Sequence, residues 1–391
     1  MSAPHIVTLR ERLIALITHD GPMTVAQYMG AALYDPMSGY YARRAMLGAD
    51  GDFITAPEIS QMFGELVGLW CAQCWLDLAS PAPFHLVELG PGTGALICDI
   101  WRATAIAPGF HDAAQISLVE VSTPMRDRQA TTIATATIAA AKMPAEMNPA
   151  AVMPAAMPAT KMPVATWVSR LEEVAAGPAL IIGNEFLDCL PVRQFVRTRD
   201  GWRERLVGVG ADGALAFGLA PDVVVDDRVI PVALRQAPEG SVAEVAPALA
   251  VFVAQLAARL RTQGGRALFI DYGAATTVAG DSLQAVRAHT RVDPLEAPGG
   301  ADLTAHVDFA TLAALARSAG LDVAGPVAQG AWLKVLGIDV RAAALSRAQP
   351  QQAQTIARQH ARLTQNDAMG ALFQVICLSA PDLKTPAGFE T

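Results

Sequence analysis

The stretch LVELGPGTGALICDIW, Leu86 to Trp101, reads as a strand, a glycine-rich turn and a helix in direct succession. Leu86, Val87 and Leu89 form the apolar run of a buried strand, while Leu96, Ile97 and Ile100 recur at the spacing of one helix face. Between them Gly90, Gly92 and Gly94 let the chain turn sharply and let a ligand reach the backbone without meeting side chains. Such a unit predicts a parallel α/β sheet with a ligand seated at the start of the helix.

Outward from this stretch the rhythm persists. FHLVELG, ISLVEV, ATWV, ALIIGNEF and RALFIDYG are short apolar strands separated by helical patterns, which implies a mostly parallel, Rossmann-like sheet covered by helices. A final apolar segment, FQVICLS, is expected to close the sheet. Asp308 is placed to cap a helix from Phe309 that Gly320 ends. Before Phe84 the chain reads as helices joined by the turn-rich loops YDPMSGYY and LGADGDFITAPE, with Pro57 and Glu58 suited to a first helical turn.

Two segments break the rhythm. Residues 142–164 repeat Met-Pro and Ala-Pro units and read as a flexible low-complexity insertion. From Val192, RQFVRTRDGWRERLVGV and GALAFGLA around a glycine-rich turn predict antiparallel strands set apart from the main sheet, a possible wall for the substrate. Arg193, Trp202 and Arg203 are expected to hold these strands together. Four segments result: 1–83, a helical region and active-site cover; 84–191, the first part of the core; 192–262, the inserted strands and a helix; and 263–391, the second part of the core.

At 391 residues and 52% hydrophobic content the chain has ample material for a core, and its formal net charge of -8 argues against a surface built to grip nucleic acid. A small-molecule or protein substrate is expected. No charge-free apolar run reaches the roughly 18 residues of a membrane span, and no signal peptide is visible, so the cytoplasm is the expected location. Five scattered cysteines suit a reducing compartment. Cys71 and Cys74 form a C-x-x-C, but it lies within a helix face and lacks a second ligand pair, so no metal site is expected.

Two cofactor classes compete for the glycine loop. Gly90, Gly92 and Ala95 satisfy the dinucleotide pattern G-x-G-x-x-A, which makes a nicotinamide-dependent oxidoreductase the rival reading. Read instead as Glu88-x-Gly90-x-Gly92-x-Gly94, the loop resembles motif I of class I S-adenosylmethionine-dependent methyltransferases. Glu88 suits an ammonium and would repel a pyrophosphate, and Pro91 removes an N–H that a pyrophosphate would use. Glu120, ending the next strand, can accept two ribose hydroxyls but lies about 30 residues past the loop, against roughly 20 in a dinucleotide fold.

Taken together, GYY, LGADGDFITAPEISQMFGELVG, LVELGPGTGAL, LVEVS, NEFLDCLPVRQF, GWRE and GADLTAHVDF resemble the MidA family, which includes a mitochondrial complex I assembly factor with methyltransferase activity. The resemblance runs from about Val25 to Ser379. It implies a class I methyltransferase fold with a helical N-terminal region, S-adenosyl-L-methionine as cofactor, and arginine on a protein such as a respiratory complex I subunit as acceptor. It also implies Glu88, Gly90, Gly92 and Gly94 as the cofactor loop, Glu120 as ribose ligand, and the segment from Asp52 to Gln61, with Phe53 and Thr55, as a cover over the cofactor. The residue reading the adenine would be expected where the Met-Pro-Ala insertion falls.

The acceptor chemistry is sought in LIIGNEFLDCLPV, Leu180 to Val192, where a buried strand leads straight into Glu185 and Asp188. A guanidinium stays charged below a pKa of about 12, so the site needs carboxylates that bind it and push its charge toward the nitrogens that do not react. Glu185 and Asp188 are the candidate catalytic acids, although Asp188 could equally cap a turn. Asp271 and His306 are weaker candidates for binding substrate. A non-catalytic assembly factor that keeps the fold to hold a client is the alternative from another functional class.

Overall fold

The computed structural model describes residues 7–42, 55–141, 162–221, 225–226 and 228–390. Of the strands, those named below are, in chain order, β1 (Phe84–Leu89), β2 (Ala114–Val119), β3 (Thr166–Val168) and β4 (Ala179–Asn184), then β5 (Arg193–Thr198), β6 (Gly201–Val209), β7 (Leu215–Leu219) and β8 (Val242–Val245), and finally β9 (Gly265–Ala274), β10 (Asp322–Ala328) and β11 (Phe373–Ser379). The main sheet has the order β3-β2-β1-β4-β9-β11-β10. All neighbours are parallel except β11, which runs antiparallel to both β9 and β10. Every residue of β1 and β4 is buried, as expected of strands covered on both faces.

FQVICLS is therefore an interior strand, and β10 forms the sheet edge. Sequence reading passes over β10 because Gly325 and Pro326 interrupt it; Gly325 sits at φ 93°, and the pairing register shifts between Ala324 and Val327.

The covering helices named below are α1 (Leu9–Asp20), α2 (Val25–Tyr34), α3 (Gln61–Asp77), α4 (Ala95–Thr104), α5 (Thr123–Ala141), α6 (Pro247–Gln263) and α7 (Phe309–Ser318). On one face of the sheet, Phe63, Leu66 and Trp70 of α3 join Ile97 and Ile100 of α4 in a single core. The two helices meet closely because α3 presents glycines: a Cβ on Gly64 would lie 2.4 Å from that of Asp99, and one on Gly68 would lie 2.7 Å from that of Ala103. Glu65 and Arg341, each side chain 1% exposed, form a bidentate ion pair at 2.7 and 3.0 Å that ties α3 to the helix Ile338–Ala348. Removing one partner of such a pair costs about 3–5 kcal/mol.

The opposite face is covered by α6 and α7 through Val253, Leu256, Leu260, Leu312 and Ala316. By packing, α6 thus belongs with the core sheet rather than with the strands that precede it. Asp308 caps α7 by accepting from the Thr311 N–H at 2.9 Å. The helix expected to begin at Pro57 is split: Ala56–Ile59 is a short turn, and α3 starts afresh with the Ser60 hydroxyl accepting from the Met62 N–H.

A second sheet is formed by β7, β6, β5 and β8, with Met23–Thr24 pairing antiparallel to β6. Of the three residues expected to hold these strands together, Arg193 reaches Glu204 across β5 and β6 at 2.7 and 2.6 Å and Trp202 is fully buried, whereas Arg203 donates to the Pro221 carbonyl beyond β7 at 2.6 Å. The sheet packs against α1, α2 and the segment 285–305 through Leu13, Tyr28, Val207, Leu215 and Leu303. Of the low-complexity insertion, residues 142–161 lie outside the described residues. Cys71 and Cys74 are buried and free on α3, and among the described residues no group of His, Cys, Asp and Glu could hold a metal ion.

Candidate cofactor and acceptor site

In the main sheet the chain runs outward from β1 through β2 to β3, then returns to lay β4 and β9 on the other side of β1. At such a reversal the loops leaving the two inner strands diverge and open a crevice at their carboxyl ends. A cavity of about 380 Å³ lies there, walled by the ends of β1, β2, β3 and β4, by Thr55 and Pro57, and by Tyr34, Tyr41 and Asp302.

The loop after β1 turns through left-handed backbone at Gly90 (φ 58°), Gly92 (φ 52°) and Gly94 (φ 83°). A Cβ on Gly90 would meet the Phe186 ring at 3.2 Å, whereas beside Gly92 there is open space. Gly90 and Gly92 border the cavity. Gly94 does not: it stands against the backbone of Gln129 on α5, 3.4 Å from where its Cβ would be, and so serves helix packing.

Glu88 is 3% exposed on the cavity wall, and its Oε2 has no hydrogen-bond partner. Burial pushes its carboxyl well above the usual range, only partly offset by the Ile97 N–H. On the neighbouring strand Asn184, also on the wall, keeps Oδ1 unpartnered. Two buried acceptors without donors, at the ends of adjacent strands, fit an ammonium group in the cavity.

Glu120 borders the cavity from the end of β2. Its Oε1 accepts from the Ser122 N–H at 2.8 Å and its Oε2 from Gln129 Nε2 at 3.1 Å, while burial raises its pKa. Gln129 also donates to the Gly92 carbonyl at 3.0 Å and accepts from the Trp167 indole at 2.8 Å, so one buried amide ties the glycine loop to the acid. Sequence reading missed it, since a glutamine within a polar helix carries no local signal. The insertion falls between α5 and β3, and beyond it Ser169, Arg170 and Leu171 border the cavity next to Glu120.

Glu185 leaves β4 in left-handed backbone, φ 49°, a conformation that costs a non-glycine residue about 1–2 kcal/mol. Its Oε1 accepts from the Ala56 N–H and from Asn184 Nδ2, both at 3.0 Å, so the acid joins β4 to the segment expected as a cover. Burial first, and then the charge of Asp188, push its carboxyl up to about 8. Asp188 is 5% exposed and is also raised by burial, with the Tyr272 hydroxyl opposing the shift. Both acids border the cavity.

Asp271 and His306 are placed elsewhere. Asp271 is fully buried behind the loop after β4, where Oδ2 accepts from the N–H groups of Phe186 (3.0 Å), Leu187 (2.8 Å) and Asp188 (3.2 Å). It shapes the loop instead of lining the cavity. His306 is exposed, edge-on to the Tyr272 ring, and borders a separate cavity of about 60 Å³. The inserted strands β5 to β8 supply no cavity wall; beyond Leu190 only Phe252 and Gln255 of α6 do so from that part of the chain. Phe53 lies outside the described residues.

The sheet order, its antiparallel seventh strand and a glycine loop over an acid-lined crevice define a class I methyltransferase fold. Residues 66–327 match the family profile of S-adenosyl-L-methionine-dependent methyltransferases. The chain is 36% identical over 338 residues to the zebrafish (Danio rerio) protein named protein arginine methyltransferase NDUFAF7, mitochondrial, covering 85% of this chain and 78% of that one. Against the human (Homo sapiens) protein of the same name it is 36% identical, covering 86% and 75%. A Burkholderia thailandensis protein, solved bound to S-adenosyl-homocysteine, superimposes with a TM-score of 0.78 at 26% identity, covering 100% of this chain and 96% of that one. The chain belongs to this family of S-adenosyl-L-methionine-dependent methyltransferases, and the nicotinamide reading is set aside.

Proposed function

We propose that the protein methylates the guanidinium of an arginine in a protein substrate. The observation that carries the reading is the pair of carboxylates, Glu185 and Asp188, on the wall of the same cavity as Glu88 and Glu120. The names of the relatives, protein arginine methyltransferase, support the same acceptor. A respiratory complex I subunit is the client implied by the sequence resemblance, and the five free cysteines suit a reducing compartment such as a bacterial cytoplasm. No helix among the described residues is long and apolar enough to cross a membrane.

S-adenosyl-L-methionine, when bound, supplies an electrophilic methyl group on a sulfonium. Glu88 and Asn184 would hold its ammonium, Gly90 and Gly92 would leave room for its approach to the backbone, and Glu120 would accept its ribose hydroxyls. Ser169 to Leu171 would border its base, with Thr55 as part of the cover. On the acceptor side, Glu185 and Asp188 bind the guanidinium through its N–H groups and draw positive charge toward those nitrogens, which leaves electron density on the remaining one. The proton that leaves the methylated nitrogen then passes to Glu185, whose side chain must reach that nitrogen as well as its neighbour. The Glu185 carboxyl, held up to about 8, must be ionised to do either task, so methyl transfer should rise with pH toward that value.

Mass spectrometry of protein arginine methylation in cells with and without the gene tests the reading, and an identical methylation profile overturns it. In vitro, Glu185→Gln should lower methyl transfer by about 100-fold or more while binding of S-adenosyl-homocysteine persists.

A further inference from the structure

Behind the cofactor loop lies a buried amide whose orientation is fixed by its surroundings. Gln129 of α5 is fully buried, and neither it nor Trp167 of β3 borders the cavity. An indole N–H can only donate, and that of Trp167 reaches Gln129 Oε1 at 2.8 Å, so the amide oxygen must face β3. The amide nitrogen is thereby turned to the cofactor side. Each of its two N–H groups has an acceptor there, the Gly92 carbonyl at 3.0 Å and Glu120 Oε2 at 3.1 Å.

Glu120 is held from its other sides as well. Its Oε1 accepts from the Ser122 N–H at 2.8 Å, and its carbonyl accepts from Arg126 Nε at 2.8 Å, while Arg126 Nη2 donates to Ser169 Oγ at 2.9 Å. An ionised carboxylate has about four acceptor positions, so one side-chain or backbone donor on each oxygen leaves each oxygen room for a hydroxyl. Burial raises the Glu120 pKa, and the Ser122 N–H, Gln129 and Arg126 oppose that rise.

We propose that Gln129 is a positioning residue for cofactor binding: one amide, oriented by Trp167, aims Glu120 at the ribose hydroxyls and holds the glycine loop through the Gly92 carbonyl. The inference rests on the reading above that Glu120 accepts those hydroxyls, and it adds the group that directs the acid. Gln129 acts through Glu120 and does not itself meet the cofactor. Without the amide, Oε2 loses its partner and the acid is free to turn about its side-chain torsions, so the hydroxyls lose a fixed acceptor.

The experiment uses the full chain and calorimetric titration with two probes, S-adenosyl-homocysteine and its 2′,3′-dideoxy analogue, which lacks both ribose hydroxyls. The wild type should prefer the first by about 100-fold, the effect of two hydrogen bonds to a charged group. Gln129→Met, similar in size but without the amide, should cut that preference about tenfold, while loss of the Gly92 tie weakens both probes alike. In a Glu120→Ala background the same change should leave the preference where Glu120→Ala put it. The wild-type preference should fade as acid protonates Glu120, and in Gln129→Met it should fade at a higher pH, because an interaction opposing protonation is gone. Trp167→Phe keeps the amide but frees its orientation and should cut the preference about threefold; it carries the test by the same ratio if Gln129→Met does not keep the wild-type thermal midpoint. Variants that weaken both probes equally, with the preference and its pH dependence intact, make Gln129 a structural residue and overturn this inference alone. A wild type that binds S-adenosyl-homocysteine but does not prefer it to the dideoxy analogue overturns the ribose role of Glu120, and this inference with it.

Discussion

Two loops leave adjacent parallel strands at the cavity and solve the same conformational problem differently. After β1 the chain enters left-handed backbone at Gly90 and Gly92, where the absence of a Cβ removes the steric cost. After β4 it enters the same region at Glu185, where a side chain is present. That loop is held from outside: the Glu185 N–H donates to the Ile270 carbonyl at 2.8 Å, and the next three N–H groups converge on one oxygen of Asp271. The cofactor loop is thus specified by its own residues, and the acceptor loop by β9. The difference suits the proposed tasks, in which the first loop would be bare to admit a ligand and the second would present an acid.

The comparison breaks first at Asp271. Asp271→Ala strips four N–H groups, those of Phe186, Leu187, Asp188 and Tyr272, of their carboxylate acceptor, and each unsatisfied buried donor costs about 1–3 kcal/mol. Methyl transfer should fall by about 100-fold or more, with stability lowered by about 3 kcal/mol in denaturant titration. S-adenosyl-homocysteine affinity should change far less, since Asp271 does not border the cavity. An equal loss of cofactor affinity would show that the two loops are not independent.

On the cofactor side, Glu88→Gln should weaken S-adenosyl-homocysteine about 10-fold or more in calorimetric titration, by removing the charge opposite the ammonium. Because burial holds the empty carboxyl well above its usual range, binding a cation should release a proton, and wild-type affinity should rise with pH. Glu88→Gln should flatten that rise.

Glu185 separates the loops by stability. Its ordinary pKa is 4.5 and its folded value about 8, so between these the folded state binds more protons than the unfolded one. Its contribution to stability is full below 4.5 and is lost as the pH rises through about 8. Glu185→Gln removes this dependence, and the variant should gain about 3 kcal/mol relative to the wild type between pH 5 and pH 8 in paired unfolding curves. A constant difference across that range would mean that the acid is not held in its neutral form.

The same contrast explains what could be read in the sequence. The strands β1, β2, β4 and β9 announce themselves by continuous apolar runs, and Glu88, Gly90, Gly92 and Glu120 by their places at strand ends. These are local signals. Asp271 reads as another strand-end acid, yet β9 continues to Ala274, which sets it back behind the wall. Three of its donors lie 83 to 85 residues away, a relation that exists only once β4 and β9 pair. Gly94 looks like its two neighbours in sequence, and only the approach of α5 gives it a different duty. The edge strand β10 is hidden because Gly325 and Pro326 imitate a turn.

The smallest expected effect tests whether the cofactor loop needs bareness or only conformational freedom. Gly92→Ala adds a methyl at φ 52° where nothing stands within 4 Å, so its cost is backbone strain alone, about 1 kcal/mol of stability. Gly90→Ala adds the same strain at φ 58° together with a contact at 3.2 Å to Phe186, a residue of the acceptor loop. The two variants should therefore lose similar stability, but their functions should diverge. Gly92→Ala places its methyl in open space beside the cavity and should weaken S-adenosyl-homocysteine several-fold, with little change in turnover at saturation. Gly90→Ala pushes on Phe186, next to Glu185, and should lower turnover as well. If turnover falls equally in both, the loops are coupled through the bound cofactor and not through this contact.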